Sequence, residues 1–165
     1  MMKTFLKRAA LALLALAGLT ALIVGIEYFG GQPMGLFSGS RPATLGFSGG
    51  QFAPPSWKPN TVSSTVPAAD AHYISPLAFS GNAADAWKKL QAIVAGSSRA
   101  TLVTNGPAYL HAEFRSAGLG FIDDVEFALD EKAGVIQVRS ASRLGVRDFG
   151  VNRARVESIR SQFAK

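Results

Sequence analysis

From Tyr109 to Arg143 the chain reads YLHAEFRSAGLGFIDDVEFALDEKAGVIQVRSASR, and the period of its apolar residues is two. In Tyr109–Arg115, Leu110, Ala112 and Phe114 fall on one face of an extended strand, while Tyr109, His111, Glu113 and Arg115 fall on the other. Phe121–Leu129 alternates likewise, with Phe121, Val125 and Phe127 against Asp124 and Glu126. Val135–Arg143 sets Ile136 and Val138 opposite Gln137, Arg139 and Arg143. The connections Ala117–Gly120 and Glu131–Gly134 are short and end in Gly, as hairpin loops do. Upstream, Arg99–Asn105 forms a further strand, closed by the turn signal Asn105-Gly106-Pro107. The expectation is a four-stranded antiparallel meander with one greasy face and one ionic face.

Hairpin geometry converts this pattern into pairings. If Asp130 opposes Val135, then Glu126 opposes Arg139 and Asp123 opposes Ser142. If Ser116 opposes Phe121, then His111 opposes Glu126 and Phe114 opposes Asp123. A row His111–Glu126–Arg139 is thus expected across the open face of the sheet. Slipping one strand by a single residue would turn its core side chains to solvent, so the parity is strongly specified.

On either side of the strands the period changes to that of a helix. Asn82–Ala95 repeats Ala83, Trp87, Leu90 and Val94 at helical spacing, with Ser80 or Asn82 as cap and Gly96 as terminator. Val151–Phe163 places Asn152, Val156, Ile159 and Phe163 on one side, with Arg153 and Glu157 as an outer i,i+4 pair. Strands followed and preceded by helices predict an α+β domain with its helices packed on one face of the sheet.

The N-terminal flank has a different character. After Lys3, Lys7 and Arg8, the stretch Ala9–Ile26 carries no charge, and Glu27, Tyr28 and Phe29 follow. Eighteen helical residues span about 27 Å, close to the thickness of a bilayer's hydrocarbon core. The stretch therefore reads as a transmembrane anchor, residues 1–29, with aromatic side chains at the lipid boundary. The positive flank keeps the N-terminus in the cytoplasm and sends the remainder into the periplasm or other extracytoplasmic space. A cleaved signal peptide, with Ala15-Leu16-Ala17 as the small-residue site, is the competing reading. Residues 30–43 read as a flexible linker, and 44–165 as the domain. Between Gly31 and Ala69, Gly, Pro and Ser supply 18 of 39 residues. Even so, Leu45, Phe47, Phe52, Trp57 and Val62 are too apolar for a free tether, so this segment is expected to lie irregularly against the domain.

Composition narrows the function. The chain has 165 residues and no cysteine, which excludes disulfides, thiolate metal sites and a thiol nucleophile. Of the net charge of +6, half lies in the first 43 residues, and the domain holds no basic run, so nucleic acid is not an expected partner.

Four separated stretches carry a family resemblance: Pro59-Asn60-Thr61-Val62-Ser63-Ser64, Gly120–Phe127, Val138–Gly145 and Asp148–Val156. In this order they resemble the bacterial and plastid "domain of unknown function 1499" family, from about Leu45 onward. The resemblance implies family membership and no activity. Members often carry a Cys pair around the Pro-Asn motif, where this chain has Pro55 and Thr61, so that segment must be ordered by packing.

Several constellations are candidates for chemistry. Asp123 shares a face with Phe121, Val125 and Phe127, and a carboxylate there needs a partner or a raised pKa. It could act as a general acid or base with Ser142 and Arg143 in a hydrolase, or it could be a structural acceptor; no histidine completes a Ser-His-Asp triad. Six arginines lie between Arg139 and Arg160, and five acids between Asp123 and Glu131. Arg139, Arg143 and Arg153 could cradle an anion, with Glu126 and His111 beside them, or pair internally with the acidic strand. His111 with neighbouring carboxylates makes a poor ligand set, and the Asp148–Asn152 stretch lacks most ligands of a calcium loop, so no metal or cofactor is expected. The leading expectation is a membrane-anchored accessory or binding domain meeting an anionic ligand or a membrane protein partner. A hydrolase is the alternative, and a helix-grip lipid-binding domain a weaker one resting on fold analogy.

Overall fold

The computed structural model describes residues 2–29 and 37–165, with side chains described for 7–23 and 37–165. In chain order the elements are α1 (Met2–Phe29), β1 (Phe47–Ser48), β2 (Gln51–Phe52), β3 (Thr61–Ser63), β4 (Leu77–Ala78), α2 (Ala83–Ala95), β5 (Ala100–Asn105), β6 (Tyr109–Arg115), β7 (Ile122–Asp130), β8 (Val135–Ser142) and α3 (Val151–Phe163). This is an α+β fold with an antiparallel sheet.

The alternating stretches pair in the expected register. Glu126 opposes Arg139 and Asp123 opposes Ser142 between β7 and β8, while His111 opposes Glu126 and Phe114 opposes Asp123 between β6 and β7. The sheet is larger than the expected four strands: it has six, because β3 and β4 both pair with the outer edge of β8. Three- and two-residue strands are too short to show a period in sequence, and they form here because the edge of β8 offers unpaired backbone groups. A bulge at Val103 shifts the β5–β6 register between Leu102 and Thr104.

Both helices of the domain cover the greasy face. Trp87, Leu90 and Val94 of α2 and Val156, Ile159 and Phe163 of α3 join Leu110, Val125, Phe127 and Val138 in one core. These side chains make up the core under α3, and a hollow of about 520 Å³ lies at its margin, between Phe114 and Arg115 of β6 and Arg155, Ser158 and Ile159 of α3. Asn82 caps α2, accepting from the amides of Ala84 and Asp85 at 2.8 and 3.1 Å. Asp148 does the same for α3, its two carboxylate oxygens taking the amides of Gly150 and Asn152 at 3.0 and 2.9 Å. The expected Arg153–Glu157 pair does not form: Glu157 pairs with Arg160, and Arg153 donates to the carbonyls of Ala71 and Tyr73. Those carbonyls lie on a neighbouring segment close enough to outcompete an exposed carboxylate.

The ionic face is not open, as expected from the sequence, but covered. Residues 37–53 cross it: Phe37 packs on Phe121, Arg41 pairs with Glu113, and Gly46 and Ala53 supply backbone groups to Glu126 and Arg139. The described part of the stretch read as a flexible linker, 37–43, is thereby held to the sheet; residues 30–36 lie outside the described residues.

In α1, Leu11, Leu13, Leu14, Leu16, Leu19 and Leu22 all stand more than half exposed. Among the described residues no helix is long and apolar enough to cross a membrane. The last part of the expected span, residues 24–26, lies outside the described side chains.

Candidate functional site

The strands place polar side chains on both sides of one end of the sheet. On the covered face, Glu126 is fully buried and is met from three directions. Tyr109 donates its hydroxyl to Oε1 at 2.7 Å, the amide of Gly46 donates to the same oxygen at 2.7 Å, and Arg139 donates to Oε2 at 2.8 Å. The Arg139 Nε in turn donates to the carbonyl of Ala53 at 3.1 Å. Burial, reinforced by the Glu126 carboxylate, pushes the Tyr109 hydroxyl above its ordinary range.

Beside this group lies a second. Arg143 makes a two-pronged contact with Asp124, Nε to Oδ2 at 2.8 Å and Nη2 to Oδ1 at 2.7 Å, and reaches Glu113 with Nη2 at 2.5 Å. His111 Nε2 meets Asp124 Oδ1 at 2.8 Å. Although His111 opposes Glu126 in register, its ring therefore meets the diagonal neighbour, because Glu126 is occupied by Tyr109, Gly46 and Arg139. Burial alone would push the Asp124 carboxyl up; the bonds from Arg143 and His111 outweigh it and hold it below its usual range. Glu113 is likewise lowered against its burial, by Arg143 and Arg41. The Asp124 bond raises the Arg143 guanidinium above its usual value. Arg41, Arg139 and Arg143 thus answer Glu113, Asp124 and Glu126.

The greasy face holds its own polar group. Asp123 finds the partner its surroundings demanded in Arg155 of α3, whose Nη2 lies 2.5 Å from Oδ2 and whose guanidinium stacks over Phe114 at 4.9 Å. Asn152, fully buried, joins the same cluster. Its Oδ1 accepts from Ser140 and Arg155 at 2.5 and 2.8 Å, and its Nδ2 donates to the Asn60 carbonyl and to Ser142 Oγ at 3.0 and 2.9 Å. Asn60 in turn donates to the carbonyl of Gly145 at 3.0 Å. Each member finds a partner within the cluster, which ties α3 and the Asn60 segment to the sheet in one packing.

The residues proposed for hydrolysis are therefore divided. Asp123 and Ser142 sit together on the helix face, while Arg143 points through the opposite face to Asp124 and Glu113. Of the three arginines proposed to hold an anion, Arg139 and Arg143 share the covered face, and Arg153 lies on α3 with two backbone carbonyls. Glu126 and His111 lie on the covered face with the first two. Among the described residues no group of three or more His, Asp or Glu side chains is placed to hold a metal. The sequence reading missed Arg155, which strand pairing cannot reveal because it arrives from α3, and missed what lies at the sheet end.

Among the described residues of the domain, the large apolar side chains that stand exposed gather at that end. A hollow of about 270 Å³ is walled by Phe121, Leu144, Phe149 and Val151, with Asp123 and Ser142 at its polar edge. A neighbouring hollow of about 340 Å³ lies on the other side of the Asp148 turn, between Trp57, His72 and Arg153. Phe149 between them is 94% exposed and adopts φ +54°, a left-handed conformation that a bulky side chain takes only when its surroundings impose it. The two Asp148 bonds to the backbone impose it here.

No curated protein and no solved structure matches the chain. A family model does, described as protein of unknown function (DUF1499), and it aligns with residues 51–163. That stretch holds the whole six-stranded sheet, both helices of the domain and the polar networks apart from Arg41 and Gly46, so the chain belongs to the DUF1499 family.

Proposed function

We propose that the chain is a membrane-held accessory domain that works by contact and not by turnover, with α1 as a single-pass anchor, its N-terminus inside and the domain in the periplasm or other extracytoplasmic space. The observation that carries this reading is the row of leucines on α1 that no other part of the described chain covers. An uncharged, all-round apolar stretch such as 9–26 would aggregate in water, whereas in a bilayer it needs no protein partner. Lys3, Lys7 and Arg8 in the first turns of α1 support the orientation by the positive-inside rule. The engagement of Asp123 with Arg155, of Ser142 with Asn152, and of Arg139 and Arg143 with buried carboxylates supports contact over catalysis. The function then lies in what the domain surface touches beside the membrane, with a membrane protein as one class of partner.

The test is fractionation of cells expressing the full chain with a C-terminal tag, followed by protease treatment of intact spheroplasts. The expected result is a membrane pellet that resists alkaline carbonate, releases into detergent and loses its tag to external protease. Recovery in the soluble fraction, or a tag protected until the membrane is broken, would overturn the reading.

A further inference from the structure

Beyond α1, the described chain exposes five large hydrophobic side chains, and they are not scattered: Trp57, Leu144, Val146, Phe149 and Val151. Four belong to one eight-residue loop, and Trp57 borders the same Asp148–Gly150 turn across the second hollow. Exposed apolar residues occurring singly need no explanation, but a cluster at one end of a domain marks a contact surface. Arg147 in the middle of the loop is exposed, and its guanidinium takes no partner among the described residues. The loop is also held rigidly. Asp148 fixes the turn, and Asn60 anchors Gly145 from below.

The covalent path identifies the occupant. The described chain resumes at Phe37, whose ring lies 5.1 Å from that of Phe121, a wall of the first hollow. Gly39 follows directly against the loop, where a Cβ would come within 3.0 Å of Leu144. The chain thus reaches the domain at its greasy end. Eight Cα steps separate Phe29 from Phe37, a reach of at most about 28 Å. With α1 in a bilayer, this end cannot lie far from the lipid headgroups.

We propose that the Leu144–Val151 loop and Trp57 form a membrane-docking tip that seats the domain on the outer surface of the bilayer holding its own anchor. This rests on the anchor reading above. Phe149 and Trp57 enter the zone between headgroups and acyl chains, where aromatic rings are favoured and shallow burial of apolar side chains is stabilising. Arg147 meets the phosphates and is strengthened by anionic lipid. The far hairpin, Glu131–Gly134, then points away from the membrane.

The absence of cysteine allows a clean test on the full chain. Nitroxide is attached to V146C or, at the far hairpin, to K132C, and the protein is reconstituted into phosphatidylcholine vesicles with and without phosphatidylglycerol. Collision with oxygen relative to a water-soluble nickel chelate is expected to be several-fold higher at position 146 than at 132. F149D should bring position 146 down to the level of 132 without lowering Tm, since that ring is 94% exposed. Equal, water-like ratios at both positions on protein that floats with the vesicles would overturn the docking tip and leave the anchor standing. Shielding of position 146 from both reagents would overturn it too, by showing protein over the loop. Protein that does not float would overturn the anchor itself.

Discussion

Asp124 shows how much of this fold is decided by single buried charges. Its carboxylate is nearly inaccessible and receives two bonds from Arg143 and one from His111. Removing one member of such a pair leaves the other charge stranded, which typically costs 3–5 kcal/mol. Asp124→Asn is therefore expected to lower stability by about 3 kcal/mol in urea denaturation, Glu113 softening the loss by remaining with Arg143. The same groups set the acid limit. Asp124 and Glu113 are lowered in the folded state, so the unfolded chain binds more protons as pH falls, and their contribution, full above pH about 4–5, disappears as pH drops through the folded values. Tm should stay level from neutrality to about pH 5 and fall steeply below about pH 4, with a shallower fall in Asp124→Asn. On the other face, Asn152→Ala strands Ser142, Asn60 and Arg155 together and should cost about 3 kcal/mol, measured the same way. The sequence made the Glu126–Arg139 pairing legible because a hairpin register ties residue numbers to neighbours. It could not make Arg155 legible: nothing in the alternation of β7 says which helix residue will arrive over Asp123.

At the scale of elements, length decided what could be read. β6, β7 and β8 each repeat their period at least three times, and α2 and α3 turn more than three times, so pattern alone located them. β3 and β4 contain no full repeat; they exist because β8 would otherwise leave an open edge. That the glycine- and proline-rich segment lies against the domain is legible in its apolar residues, Phe52 and Val62 being buried as expected; that it covers the ionic face is not, since those contacts are made by isolated groups. One is the amide of Gly46 on Glu126, at a backbone φ of +134° that side-chain-bearing residues rarely adopt. Gly46→Ala should thus cost about 1–3 kcal/mol through backbone strain although its Cβ would meet open space. For the helix ends, Asn82→Ala is expected to lose about 1 kcal/mol as α2 gives up two amide bonds. Thermal melts of both variants check these values.

For the molecule as a whole, the sequence announces two unlike parts, an uncharged N-terminal stretch and an alternating domain. Residues 37–53 are held to the sheet as an irregular strap, by an aromatic contact, an ion pair and two bonds to backbone groups. That strap has a mechanical consequence. A pull on the chain ahead of Phe37 meets the ring on Phe121 first, then the Arg41–Glu113 pair, then the amide of Gly46, each in turn along the sheet face. The contacts open one after another like a zip, and β3 and its neighbours feel the load only after the last has parted. Moderate tension would therefore lengthen the leash stepwise and bare Glu126 and Arg139 to water while the fold beneath stayed whole.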